Sequence, residues 1–564
     1  MKKTREMVLD ILVEAGIDHV FGLPGGSTPF IFDALFDRQD KLKPVLARQE
    51  GAAACMADVY GRLTGKPGVV ICQGPWAGSN AGFGIMEAYS AGSPMLIITD
   101  QSDWGNLGQY GVYQSCTGEY GAFDLAGIMR RITKYTCVAN TAEEFIRGVQ
   151  LGIKHATTGK PGPAAVIAKW NTVVSEFEPA AVRPKIYPLA GYLAVSPASI
   201  TEEDADKIAA MIAESQKPVM ICGRGIHISR AYAEVVELAE LAGLPVATSY
   251  MGKSSIPETH ELALGTTGNL GQKIANETIT SADLILAVGT GLSPENNRML
   301  APEFINPEKQ KLIHIDIEPL NAGFTLPVTL GATSDAKLAL RAIIAALKKR
   351  GMKPCQPRVA ELKKLKSDTK FFASAAELDS DAEPILPERV VKEVNKLADK
   401  NTMLVLDGGN NRMWFTKHFQ TGHAGQFIAP GGVAAVGWCP PAALAAQLLC
   451  KDKRVIGISG DGGMVMGLHC LVSARQYNVP VTYLVLNNSC LGNVMDFMAP
   501  NRRVCAQYPA PELAAIAQGA GLKGVKVTRP SEIAPALKQA LDGSEPTLLD
   551  IRVSDAPHFR LMGA

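Results

Sequence analysis

Aromatic residues are scarce in this chain of 564 residues, at 6%. Its core must therefore rest on Ala, Val, Ile and Leu, as in sheets covered by helices on both faces. Charge of one sign is also lacking: 56 Lys and Arg stand against 55 Asp and Glu, a net +1. Nucleic acids and anionic membranes both demand a basic excess, so neither is expected as a partner. No apolar run approaches the ~18 residues of a membrane span. The 11 cysteines are scattered, odd in number and without a CxxC pair. That excludes a zinc cluster or disulfide framework and favours a cytoplasmic location. Behind the charged start, residues 5–15 show helical spacing (Met7, Val8, Ile11, Leu12) in place of a signal peptide's apolar core.

What is present is alternation. Short apolar runs, such as Val69–Cys72, Met95–Thr99, Ala164–Ala168, Val219–Cys222, Leu284–Val288, Leu312–Ile317, Met403–Leu406, Val455–Ile458, Val481–Leu486 and Leu548–Ile551, are separated by amphipathic stretches such as 230–242 and 336–348. Strand, helix, strand at this spacing predicts βαβ units and parallel sheets. Two stretches read as linkers: Glu176–Ser196, with Pro179, Pro184 and Pro188, and the Lys-rich Gly351–Ala375. They predict three consecutive doubly wound, Rossmann-like α/β domains at 1–180, 190–350 and 370–564. No sequence repeat is visible, though the first and third blocks share an α/β rhythm.

The strongest local pattern lies in the third block. A strand over Val455–Ser459 runs into Gly460-Asp461-Gly462-Gly463, a helix follows over 468–477, and a second strand ends at Asn487-Asn488. One βαβ crossover puts both strand ends on the carboxyl edge of the sheet, where α/β proteins bind ligands. Asp461 and Asn488 form a hard-oxygen pair suited to Mg²⁺ or Ca²⁺. The glycines let backbone N–H groups approach an anion. Together they suggest a metal-bridged diphosphate; an ordinary turn-forming loop is the alternative.

Gly460-Asp461-Gly462 followed by Asn487-Asn488 resembles the thiamine-diphosphate motif shared by the acetolactate synthase, pyruvate oxidase and benzoylformate decarboxylase superfamily. Other segments resemble the same family in the same order: Phe21-Gly22-Leu23-Pro24-Gly25-Gly26, Arg48-Gln49-Glu50 with Tyr60-Gly61-Arg62, Gly74-Pro75 with Asn80, Ala88-Tyr89 to Pro94, Lys160-Pro161-Gly162-Pro163, and Gly431-Gly432 to Pro441-Ala442-Ala443. The resemblance implies a pyrimidine-binding, a central and a diphosphate-binding domain. It also implies a homodimer or homotetramer with the active site shared between subunits.

Residue by residue, it places Glu50 on the pyrimidine N1′, where a carboxylate sharing a proton favours the 4′-imino tautomer that acts as internal base. Asp461, the side chain of Asn488 and the carbonyl of Cys490 would hold Mg²⁺. Pro24, Gly25, Asn80, Gly460, Gly462, Gly463, Leu491 and Gly492 would line the cofactor, and Asn410 and Asn411 would touch the diphosphate. The Ala434 carbonyl would accept from the 4′-amino group, and Val436 would prop the bent cofactor. Gly463 stands where the family often has Ser, and Val436 where it has Met, Leu or Ile.

On the substrate side, the resemblance points Ser27, Gln73 and Gln114 at the thiazolium, with Gly26, Thr28 and Trp76. For Ser27 and Thr28 the plain alternative is helix capping. No histidine occupies these positions, although related decarboxylases often have one. Two segments depart from the acetolactate synthases: Gly289-Thr290-Gly291-Leu292-Ser293-Pro294-Glu295 lacks their Arg, and 491–497 ends in Phe497 without their Trp. Gly223-Arg224-Gly225-Ile226 and Gly265–Asn269 lie in the domain where relatives hold FAD or the ADP moiety of CoA, but neither is a full GxGxxG.

The implied function is decarboxylation of a 2-oxo acid with carboligation. The alternatives are a 2-hydroxyacyl-CoA or acyloin/diketone lyase and, from other classes, a flavin- or nicotinamide-dependent oxidoreductase or a non-catalytic cofactor-binding subunit.

Overall fold

The computed structural model describes residues 1–101, 113–119, 121–354, 356–369, 371–372 and 375–555; Cys355 lies outside them. Among the described residues, three six-stranded parallel sheets carry the fold. The first has the strand order Lys43–Leu46, His19–Gly22, Gly68–Cys72, Met95–Asp100, Pro163–Ala168, Tyr135–Ala139. The second runs Ala263–Thr266, Val246–Thr248, Pro218–Cys222, Leu284–Val288, Lys311–Asp316, Leu330–Thr333. The third runs Phe427–Ile428, Thr402–Leu406, Arg454–Gly460, Thr482–Asn487, Thr547–Arg552, Lys523–Val527. Numbered within each sheet, the first and third share the order 2-1-3-4-6-5, while the second is 3-2-1-4-5-6.

This is the expected α/β class of parallel-sheet domains. The central strands are buried apolar runs because helices cover both faces, as in Gly68–Cys72 and Leu284–Val288. The edge strands Lys43–Leu46, Tyr135–Ala139, Leu330–Thr333 and Lys523–Val527 are half-buried and mixed in polarity. They carry no apolar run, and sequence patterning passed over them.

The Lys-rich stretch after Gly351 corrects the linker reading. It contains a helix, Gln356–Asp368, whose Leu362 joins the buried core of the central domain. Its many lysines dilute the apolar signal that Leu362 carries. The Glu176–Ser196 stretch contributes Glu176–Phe177, paired antiparallel with Lys2–Lys3, and a short helix, Leu189–Leu193.

The chain divides into two compact units. One comprises Met1–Ser196, Pro430–Lys451 and Val465–Val481; the other comprises Pro197–Ala429, Asp452–Met464 and the chain from Thr482 onward. No helix among the described residues is long and apolar enough to cross a membrane, and no disulfide joins the described cysteines.

Candidate functional site

In the first unit the site is built on one carboxyl sheet edge and one helix. Helix Glu50–Thr64 is rich in Ala and Gly, and its first twelve residues are all buried. Gln49 caps it, accepting from the Ala52 N–H at 3.0 Å, which leaves Glu50 as the first helical residue. A carboxylate there is favoured by the helix dipole. Glu50 is only 9% exposed, and Asn80 Nδ2 donates to its Oε2 at 3.0 Å. This burial distinguishes it from a solvated helix-start glutamate. Asn80 itself is exposed.

Asp100, at the end of strand Met95–Asp100 and fully buried, ties the surrounding loops together. Its Oδ2 accepts from the Ser27 N–H at 2.6 Å and the Ser27 hydroxyl at 2.9 Å, and its Oδ1 accepts from the Gly74 N–H at 2.9 Å. The Ser27 hydroxyl is therefore engaged in the scaffold, buried beneath the loop. Thr28 exchanges hydrogen bonds with Gly25, its hydroxyl donating to the carbonyl at 2.7 Å and accepting from the N–H at 3.0 Å. It holds the Pro24–Gly25 turn and makes no side-chain cap to the following helix. Gln73 Nε2 donates to Gln114 Oε1 at 2.6 Å, and Gln73 Oε1 stands 2.8 Å from where a Cβ on Gly25 would be. Pro24 and Trp76 are exposed. Gly25, Gln73 and Gln114 thus come together, while Ser27 is turned away to Asp100.

The segment carrying Ala434 and Val436 also belongs to the first unit. Ala434 adopts a left-handed φ of 55°, and Val433 and Val436 are exposed although apolar.

In the second unit, strands Thr402–Leu406, Arg454–Gly460 and Thr482–Asn487 are parallel neighbours, with Leu406 opposite Ile458 and Gly460 opposite Leu486. Their carboxyl ends deliver residues 407–411, 461–463 and 488–492, two of them helix starts, to one edge, as the βαβ argument requires. Asp461 is 1% exposed, and its Oδ2 has no hydrogen-bond partner. Burial pushes its carboxyl up to about 6, against the pull of Tyr508 and the Gly462 and Ser489 N–H groups. A buried carboxyl with an orphaned oxygen is a donor fit for Mg²⁺, and the Ser489 N–H that pulls on it lies in the chain between Asn488 and Cys490. Among the described residues no cluster of three His, Cys, Asp or Glu competes for a metal. Of the Asn-Asn pair, Asn487 is structural: its Nδ2 donates to Asp550 Oδ1 at 2.8 Å and the Pro511 carbonyl at 3.1 Å. Asn488 faces Gly492 and Asn410; a Cβ on Gly492 would lie 3.1 Å from the amide nitrogen of each. Cys490 pairs through a β-bridge with Gln507, and Leu491 lies against Gly462.

Asn410 and Asn411 open helix Asn410–His418 behind Gly409, which has a φ of 99°. Their amides donate to Asp496 at 2.9 Å and to the Gly408 carbonyl at 2.8 Å, and each Oδ1 lacks a partner. What this helix start can offer a diphosphate is therefore backbone N–H.

Gly463 has its own explanation. A Cβ there would meet Asp407 Oδ2 at 2.1 Å and Ser459 Oγ at 2.7 Å. Ser459 Oγ donates to Asp407 at 2.6 Å, so this pair fills the space the family's serine would take. Sequence reasoning overlooked Asp100, Asp407 and Ser459. A polar residue at the end of an apolar strand, as in Thr99-Asp100 or Leu406-Asp407, is the pattern that could have found them.

In the central domain, Gly225 N–H donates to the Gly289 carbonyl at 2.9 Å, and a Cβ on either glycine would lie within 2.6 Å of the other's backbone. These glycines serve a close backbone contact between two loops. His418 is half-buried, stacked on Trp414, and desolvation with Lys417 and Lys253 nearby lowers it to about 4, so it is neutral.

Comparison with known families agrees along the chain. Residues 2–120 match the thiamine pyrophosphate enzyme N-terminal TPP binding domain, 205–343 the central domain and 407–551 the C-terminal TPP binding domain. The chain is 32% identical to a Methanocaldococcus jannaschii protein named "Probable acetolactate synthase large subunit", over 98% of this chain and 92% of that one. It is 30% identical to the acetolactate synthase large subunit of Buchnera aphidicola subsp. Schizaphis graminum and 29% to that of Haemophilus influenzae, each over 98% of this chain and 95% of the relative. With these domains in this order, the chain belongs to the thiamine-diphosphate-dependent enzymes, in the superfamily of acetolactate synthase, pyruvate oxidase and benzoylformate decarboxylase.

Proposed function

We propose that this protein uses thiamine diphosphate and Mg²⁺ to decarboxylate a 2-oxo acid and to join the remaining acyl unit to an acceptor carbonyl, as acetolactate synthases do. The observation that carries the reading is Glu50, a carboxylate buried at a helix start and held through one oxygen by Asn80. Bound thiamine diphosphate supplies the nucleophilic carbon and electron sink that side chains lack.

Glu50 would share a proton with the pyrimidine N1′ of the bound cofactor. Asp461, Asn488 and the Cys490 carbonyl hold Mg²⁺, and the backbone of Gly460, Gly462, Gly463, Leu491 and Gly492, with the helix start at Asn410 and Asn411, lines the diphosphate. The Ala434 carbonyl would accept from the 4′-amino group, and the exposed Val436 would pack against the bound cofactor. Pro24 and Gly25 line the cofactor. Gln73, kept in place by Gln114 and uncharged, orients a substrate carbonyl without strong acid–base work. Ser27 positions the loop through Asp100.

The working unit is a homodimer or a homotetramer, with Glu50 of one subunit serving the diphosphate cradle of another. The exposed Trp76, Met86 and Tyr89, each 43–44% exposed, supply apolar surface for such an interface. A cytoplasmic location fits the described cysteines, which form no disulfide.

The test is to incubate the holoenzyme with pyruvate, benzoylformate, oxalyl-CoA, acyloins and diketones, each with acceptor aldehydes and 2-oxo acids. Release of CO₂ from a 2-oxo acid together with a ligated product is the expected result. Turnover confined to acyloins or diketones would replace it with the lyase reading.

A further inference from the structure

Helix Glu50–Thr64 carries a second acidic centre three turns beyond Glu50. The Arg62 side chain is buried there, only 3% exposed. Its Nε donates to Asp58 Oδ1 at 2.9 Å, and its Nη2 donates to Asp58 Oδ2 at 2.8 Å and to Glu87 Oε1 at 2.9 Å. Glu87, on helix Gly82–Ala91, is fully buried. Its carboxylate also accepts three consecutive backbone N–H groups: Gly431 and Gly432 at 3.0 Å each on Oε1, and Val433 at 2.9 Å on Oε2. Trp438 closes the ring: its indole N–H donates to Asp58 Oδ2 at 3.0 Å, and its ring lies 4.7 Å beneath the Arg62 guanidinium.

A buried carboxylate that gathers three N–H groups from a loop 345 residues away is not explained by local structure. Burial opposes the charge on Glu87, but Arg62 and the loop N–H groups outweigh it and hold the carboxyl below its usual range. Gly432 is pressed onto the helix: a Cβ there would lie 2.8 Å from the Glu87 carbonyl oxygen and 2.9 Å from Ala91 N. The loop is thus gripped at 431–433 by Glu87 and at 438 by Asp58. Between those two grips stand Ala434, in its left-handed conformation, and the exposed Val436.

We propose that Glu87, charged and aimed by Arg62, is a positioning residue for the cofactor: it fixes the 431–438 loop so that the Ala434 carbonyl and Val436 meet the aminopyrimidine. This rests on the thiamine diphosphate reading above. Glu87 touches neither substrate nor cofactor; it acts through the loop's backbone. A neutral amide in its place cannot accept all three N–H groups and answer Arg62, because one end of the amide is a donor.

The experiment titrates thiamine diphosphate into full-length wild type and Glu87→Gln at saturating Mg²⁺. It follows affinity and the near-ultraviolet circular dichroism band of the bound aminopyrimidine, with thermal unfolding as a check on folding. Expected are a tenfold or greater loss of affinity in Glu87→Gln and a shifted or absent band. Wild type that binds the cofactor beside a variant with equal affinity and an unchanged band would overturn the proposal. Wild type that fails to bind would instead overturn the functional reading beneath it. Should Glu87→Gln not fold, Trp438→Phe decides. It keeps a ring under Arg62 but removes the donor to Asp58, and a threefold or greater loss with an altered band is expected; no change would refute the role.

Discussion

At the scale of single residues, the account turns on two buried carboxyls with opposite tasks. Glu50 must hold a proton-sharing contact. Glu50→Gln keeps the size and removes the charge, so turnover should fall by about 10²–10⁴-fold; unchanged far-ultraviolet dichroism would show the fold intact. Asp461 must stay ionised to hold a cation, yet burial raises it to about 6. Mg²⁺ affinity should therefore fall as pH drops through about 6, because the ligand must first lose its proton, and calorimetric titration at pH 5.5 and 7.5 would show it. The raised pKa also sets a sign for stability. Its contribution is present below the unfolded carboxyl's ordinary value and is lost as pH rises through about 6, so ionised Asp461 weakens the metal-free fold at neutral pH. Asp461→Asn should raise metal-free stability by ~1–2 kcal/mol while losing Mg²⁺ binding; an unfolding midpoint no higher than wild type would contradict this.

These residues were legible because they sit in short local patterns, Arg48-Gln49-Glu50 and Gly460-Asp461-Gly462. Asp100, Asp407 and Glu87 were not, because each owes its role to partners 73, 52 and 345 residues distant. Gly463 shows the same limit. Sequence reading saw a missing serine, and only the folded chain shows Asp407 and Ser459 in its place. Gly463→Ser should thus destabilise the protein, read as a lower unfolding midpoint, and should not improve cofactor affinity.

At the scale of elements, most buried strands announced themselves as apolar runs, though the short His19–Gly22, Val246–Thr248 and Ala263–Thr266, buried as well, did not. Edge strands and the Gln356–Asp368 helix did not, since their exposed faces dilute the pattern. The second unit also contains a device no periodicity could reveal. Lys253, fully buried, donates to both oxygens of Glu258 at 2.6 and 2.7 Å, and Glu258 in turn accepts from the Thr421 N–H at 2.8 Å and hydroxyl at 3.1 Å. It joins a loop of the central domain to the segment before strand Phe427–Ile428. Desolvation lowers the Lys253 pKa, and Glu258 opposes it. Lys253→Ala would leave a buried carboxylate uncompensated, at a cost of about 3–5 kcal/mol. Denaturant unfolding would measure it, and a loss under 1 kcal/mol would mean the pair adds little.

At the scale of the molecule, the first and third sheets share one strand order although their sequences show no repeat. Parallel topology depends on crossover connections and burial pattern, which many different residues satisfy. Composition and alternation were therefore enough for the α/β class. They could not give strand order, because hydrophobic runs carry no information about which neighbour they pair with. The proposed assembly has its own consequence: light scattering should give a mass of two or four chains, and dilution toward monomer should abolish turnover.

The central claim is that Glu50 activates a bound thiamine diphosphate through its pyrimidine ring. The most direct measurement is the rate at which the cofactor's C2 hydrogen exchanges with deuterium on wild type and on Glu50→Gln, both loaded with Mg²⁺. Fast exchange on wild type, falling by orders of magnitude toward the free-cofactor rate on a variant that still binds, is the predicted result. Equal exchange on the two proteins would contradict it.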